Sequence, residues 1–166
     1  QKETIESYVL LAETLIDILS RSDRIEAMLN ILVPSQVERL SAFAIRYTEE
    51  VPKESWNEEL LRNIAYLLLR FGRYIQSITL YDALLDGRPN HSDLLNLKAL
   101  AMITSRLPEQ VGQALPILSS LVDRYPESSL YRYNYALACS LAAEHQVALK
   151  EMEFVIRSSY VKMYPG

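Results

Sequence analysis

The chain has 166 residues, nearly half of them apolar, with four glycines, one cysteine and a net charge of −4. A chain of this length buries roughly 70% of the surface its unfolded form exposes, so its core needs no metal or disulfide, and Cys139 has no partner to pair with. Residues 1–58 carry six Lys/Arg against eleven Asp/Glu and residues 59–166 carry eleven against ten, so neither part has the basic stripe that nucleic acid requires.

The longest apolar stretches, such as residues 8–12 and 64–69, fall far short of the roughly 20 residues a spanning helix needs, so no membrane insertion is expected. The lone thiol fits a reducing, cytoplasmic compartment. The chain starts at Gln1 and not at methionine, which suggests a fragment whose targeting segment has been removed.

Helix-period apolar spacing runs through almost the whole chain, and no alternation typical of strands is sustained. A first helix is predicted over about residues 2–20, with Ile5, Tyr8, Ala12, Leu15 and Leu19 on one face. A shorter second helix follows Asp23, which can cap its first turn while Glu26 reaches back. Pro34 fits the first turn of a third helix, and Pro52 closes that segment. Ser55-Trp56-Asn57-Glu58 reads as a capping box, with the serine oxygen accepting from the Glu58 amide. Three hairpins then follow: 55–71 with 74–87, 91–106 with 109–124, and 127–142 with 145–158.

Small residues set a period in these hairpins. Ala65 and Ala99 are 34 residues apart and Ala99 and Ala136 are 37 apart; Ser77 and Ala114 are 37 apart, and Ala114 and Ala148 are 34 apart. Three extra residues therefore lie between Ala99 and Ala114, and the SRLPEQVG stretch is the expected turn to hold them. Small side chains at these places let two helices of a pair approach closely.

Residues 61–89 carry the fullest pattern: Leu61, Ile64, Ala65 and Leu68 on a first helix, Gly72 and Tyr74 at the turn, then Ser77, Tyr81 and Pro89. This resembles the tetratricopeptide repeat, a helix-turn-helix unit of 34 residues. Leu95, Ala99, Met102, Ala114, Leu118 and Pro126 repeat the pattern, with Lys98 in an apolar place. Tyr135, Ala136, Cys139, Ala148 and Met152 repeat it again, with Arg132 in an apolar place and Tyr160 where the proline belongs. Upstream, Phe43 and Tyr47 stand 34 residues before Ser77 and Tyr81, which hints at a degenerate unit, although Phe43 is large for the small-residue place.

The resemblance implies an all-α fold of antiparallel helix-hairpin repeats stacked in a right-handed superhelix. It divides the chain into N-terminal helices over 1–54, a cap or degenerate repeat, and three repeats over 55–162, at about 55–90, 91–126 and 127–162. It also implies a concave groove lined by the first helix of each pair, presenting Arg62, Asn63, Tyr66, Leu69, Asn96, Leu100, Ile103, Tyr133, Asn134 and Leu137, beside Glu59, Asp93, Leu97, Leu130 and Ser140. The family's clamp for a chaperone's C-terminal carboxylate would fall on Arg62, Tyr66, Leu97, Leu130 and Asn134. Only Arg62 is conservative, which argues against that kind of receptor.

The expected function is therefore a non-catalytic scaffold or adaptor that holds a helix or peptide of a protein partner. The alternatives are a secretion-type co-chaperone for an aggregation-prone subunit, and a structural or homo-oligomerising segment of a longer solenoid with further repeats. Three asparagines, Asn63, Asn96 and Asn134, can meet both the N–H and the C=O of an extended peptide, or simply solvate the surface. No phosphate loop, metal-ligand spacing, cofactor motif or catalytic constellation is present in the sequence. His91 and His145 fall at helix starts, and Cys139 falls in a packing position.

Overall fold

A computed structural model describes the backbone over residues 32–163 and the side chains over residues 32–159. The helices expected over residues 2–20 and after Asp23 lie outside the described residues. The described residues form seven α-helices and one short 3-10 turn, with no strand among them. The chain divides into two compact units, one ending at Gly87 and the other beginning at Arg88.

The first unit contains α1 (Pro34–Glu50), α2 (Glu58–Arg70) and α3 (Tyr74–Leu85). Pro34 starts α1, as its fixed φ and missing N–H favour at a first helical position. Gln36 Oε1 accepts from the Val33 N–H at 3.0 Å. α1 buries Val37, Ser41, Phe43, Ala44 and Tyr47 against α2 and α3. Pro52 then prevents further helix, and Lys53–Ser55 makes a single 3-10 turn.

The cap of α2 differs from the expected box. Ser55 is spent inside that 3-10 turn, its N–H donating to the Pro52 carbonyl at 2.8 Å. Asn57 takes over, its Oδ1 accepting from the Leu60 N–H at 2.9 Å. Glu58 and Glu59 in the first turn and Arg70 in the last complement the helix dipole. α2 ends at Gly72 (φ 74°), with Arg73 N–H on the Leu68 carbonyl and Gly72 N–H on the Leu69 carbonyl, a Schellman ending. α3 folds back along α2, and Ser77 Oγ donates to the Ala65 carbonyl at 2.7 Å. Both residues are fully buried, so a larger side chain at either place would force the helices apart. Tyr81 lies in the same interior. Lys53 bridges back to the end of α3, bonding the Asp86 carbonyl and, at 2.7 Å, its carboxylate. That ammonium holds the Asp86 carboxyl below the usual carboxylate range.

The second unit contains α4 (Ser92–Ser105), α5 (Pro108–Arg124), α6 (Ser129–Leu141) and α7 (His145–Met163). α4 packs on α5 and α6 on α7, while α6 also contacts α5 and α4, so one hairpin stacks on the next. The three extra residues of this repeat are not loop. α4 and α5 are joined by Arg106 and Leu107 alone, and Pro108 opens α5 almost two turns ahead of Ala114. The insertion therefore lengthens a helix, because proline at a first helical position starts one as readily as it marks a turn.

The α6–α7 turn reproduces the α2–α3 turn: Glu144 N–H bonds the Cys139 carbonyl and Ala143 N–H the Ser140 carbonyl. Here alanine and not glycine takes the left-handed conformation, with φ 63°. That costs an L-residue about 1 kcal/mol. Ala143→Gly should therefore stabilise the protein by about 0.5–1 kcal/mol, read as a higher urea midpoint at unchanged slope. A lower midpoint would mean that the loss of chain entropy outweighs the relief of strain.

Candidate functional site

The faces that the sequence singled out belong to α2 in the first unit and to α4 and α6 in the second. On α2, Arg62 is exposed, Asn63 and Tyr66 are half-buried, and Leu69 is buried. Arg70 secures Tyr66: Nη1 donates to the tyrosine hydroxyl at 3.0 Å, and the guanidinium lies 5.8 Å from the ring centroid. Behind this face, burial pushes the Tyr81 hydroxyl well above its usual range, with Tyr66 adding to the effect and Arg62 opposing it. It stays protonated at any physiological pH.

In the second unit, α4 and α6 are tied by two hydrogen bonds. Asn134 Nδ2 donates to Asn96 Oδ1 at 2.8 Å, and the Tyr131 hydroxyl donates to Asp93 Oδ1 at 3.1 Å. Asn96, Asn134 and Tyr131 are all buried, and they are tolerated there because each has a partner: the two amides pair with each other and the tyrosine hydroxyl with exposed Asp93. Ile103 is likewise buried. Burial also pushes the Tyr131 hydroxyl above the usual titration range of a tyrosine.

Around that buried pair stand apolar groups that reach solvent. Leu130 is 58% exposed and Tyr133 43% exposed, while Leu97, Leu100 and Leu137 are half-buried. The three alternating tyrosines of α6 divide as helical geometry dictates, with Tyr131 buried, Tyr133 outward and Tyr135 half-buried. The ten residues named from the sequence thus sort into two sets. Leu69, Ile103, Asn96 and Asn134 lie within the helix packing; Arg62, Asn63, Tyr66, Leu100, Tyr133 and Leu137 reach solvent wholly or in part.

Two features escaped the sequence reading. Arg132, in its apolar place, bonds the buried Glu151 carboxylate through Nη1 and the Pro126 carbonyl through Nε, and its guanidinium lies 4.1 Å from the Phe154 ring centroid. The inward helix position of Glu151 signals a buried charge, but not which residue it pairs with. The other is the exposed pair Leu149 and Ile156 on α7. No group of three or more His, Cys, Asp or Glu side chains suited to a metal occurs among the described residues. Cys139 is fully buried, and burial pushes its thiol up, away from nucleophilic thiolate character. No helix of the described residues is long and apolar enough to cross a membrane.

No protein-family model matches the chain, and no curated protein does. Among solved structures, MamA from Desulfovibrio magneticus RS-1 (residues 41 to the end) is similar, at 19% identity and a TM-score of 0.64. The match covers 93% of this chain and 77% of that one. A MamA RS-1 ArsTM double mutant matches with the same values. The fold is therefore that of an all-helical, tetratricopeptide-like repeat protein, as the resemblance to that family implied.

Proposed function

We propose that this protein is a non-catalytic scaffold that holds a helix or extended peptide of another protein against the first helices of its hairpins. The observation that carries this reading is the outward face of α4 and α6, where Leu130 and Tyr133 are exposed beside half-buried Leu100 and Leu137. Tyrosines and leucines held on rigid helices lose little entropy on binding, and such anchors dominate interface energies. The buried Asn96–Asn134 bond fixes the spacing of α4 and α6, and so presents a preformed surface. Tyr66, held by Arg70, with Arg62 and Asn63, supplies a second apolar and polar patch on α2.

The test is to select binding peptides by display against the immobilised protein and titrate the best of them. Tyr133→Ala and Leu100→Ala should each weaken that peptide by about 2 kcal/mol, roughly thirtyfold, with the melting temperature of Tyr133→Ala unchanged. A selected peptide that binds the Tyr133→Ala and Tyr66→Ala variants as well as the parent would place the binding surface elsewhere.

A further inference from the structure

The outward face of α4 and α6 is poor in groups that could bond a partner's backbone. Asn96 and Asn134 are 5% and 3% exposed, and the Nδ2 of Asn134 is spent on the Oδ1 of Asn96. The pair keeps the amide oxygen of Asn134 and the NH2 of Asn96, enough for one peptide group. The Thr104 hydroxyl donates to the Leu100 carbonyl within α4, and Asp93 Oδ1 already accepts from Tyr131. Leu97, Leu100, Leu130, Tyr133 and Leu137 make up most of the rest. An extended peptide laid along the 14 residues of α4, roughly 21 Å, would bring about six N–H and six C=O groups. Those turned toward the leucines lose water and gain no partner. A helix bonds its own backbone, so it can bury one side here without that loss.

Charge adds a second requirement. Asp93, Leu97 and Leu100 follow one another along α4 at spacings of four and three residues, so the exposed carboxylate stands at one end of the apolar row. Lys98 and Arg132 each lie two residues from an inner asparagine, about 200° round the helix and so on the far side. Arg132 is moreover held there by Glu151. Asp93 is therefore the one charged side chain that α4 and α6 place on this face. On the binding surface proposed above, which this reading takes as its premise, we infer that the occupant is an amphipathic α-helix of another protein. Its apolar side chains recur at i, i+3, i+4 and i+7, and a lysine or arginine stands at the end that meets Asp93. A carboxylate at that end is disfavoured by like charge.

The experiment presents the immobilised whole chain with two displayed peptide libraries mixed in equal amounts. One library carries apolar residues at helical spacing and the other the same number at alternate positions, with all remaining positions free. Enriched sequences come from the helical library, carry Lys or Arg at one end, and gain helical circular dichroism on binding. Asp93→Asn keeps an acceptor for Tyr131, and it weakens the best peptide about two- to fivefold and flattens its salt dependence. Selection against Asp93→Lys yields Asp or Glu at that end instead. Enrichment of the alternating library, lost with Tyr133→Ala, overturns the helical occupant and leaves the binding surface standing. Helical sequences that bind Tyr133→Ala as well as the parent overturn the surface, and this inference with it. Helical sequences with no basic end, or indifferent to Asp93→Asn, overturn the role of Asp93. Enrichment of neither library overturns both readings.

Discussion

Replacing Glu151 with alanine should cost about 3–5 kcal/mol, among the largest effects of any single substitution in this protein. Among the described residues the carboxylate is one of few buried charges, its side chain 7% exposed, and it holds Arg132, itself mostly buried. Truncation leaves the guanidinium in place, still bonded to the Pro126 carbonyl and stacked on Phe154, with no counter-charge and little access to water. The loss comes mainly from that stranded cation, and only secondarily from the ion pair as such. For a chain of this length the change lowers the melting temperature by about 6–20 °C. The double variant Arg132→Met with Glu151→Leu separates the two contributions. Apolar side chains of similar size remove both charges and restore the apolar place of the repeat, so the double variant should be near the parent or above it. A Glu151→Ala protein losing only about 0.5 kcal/mol, as exposed sites do, would show that water reaches the guanidinium and that the pair contributes little.

The same pair marks where sequence reading stops. The repeat register was legible because close helix contact permits only small side chains, and Ala65, Ser77, Ala99 and Ala114 are all fully buried as that requires. Arg132 broke the apolar pattern, and its compensating partner lies 19 residues away on another helix, beyond what periodicity reveals. The buried Asn96–Asn134 and Tyr131–Asp93 bonds were hidden for a related reason. Both join residues 38 apart, whereas the repeat offset between Ala99 and Ala136 is 37. Contact between neighbouring first helices thus runs one residue out of step with the repeat. The asparagines consequently read as surface groups until the helices were packed. At the start of α2 the failure was local. Ser55 and Asn57 are both good caps, and the Pro52 turn that consumes Ser55 decides between them.

Tyr47→Ala should produce a loss of similar size, about 3–5 kcal/mol, for an unrelated reason. The ring is almost wholly buried where α1 meets α2 and α3, packed 5.8 Å from Phe43, and its removal opens a cavity that helices on three sides cannot collapse to fill. The hydroxyl has a separate task. It accepts from the Asn57 N–H at 3.0 Å and donates to the Ser55 carbonyl at 3.3 Å, so it pins both sides of the link between α1 and α2. Trp56 fastens the same link from the other direction, its Nε1 donating to the Val51 carbonyl at 2.8 Å. Tyr47→Phe keeps the ring and deletes only the hydroxyl. Because Ser55 is exposed and water can replace one partner, the cost falls to about 1 kcal/mol, most of it at the half-buried Asn57. Native-state hydrogen exchange distinguishes the two roles. In Tyr47→Phe the Asn57 amide exchanges faster while amides in the middle of α2 lose only what the global destabilisation predicts. In Tyr47→Ala the amides of α1 and α2 lose protection together. If Asn57 exchanges in the phenylalanine variant as it does in the parent, the hydroxyl does not hold the link, and only the ring's packing accounts for the tyrosine.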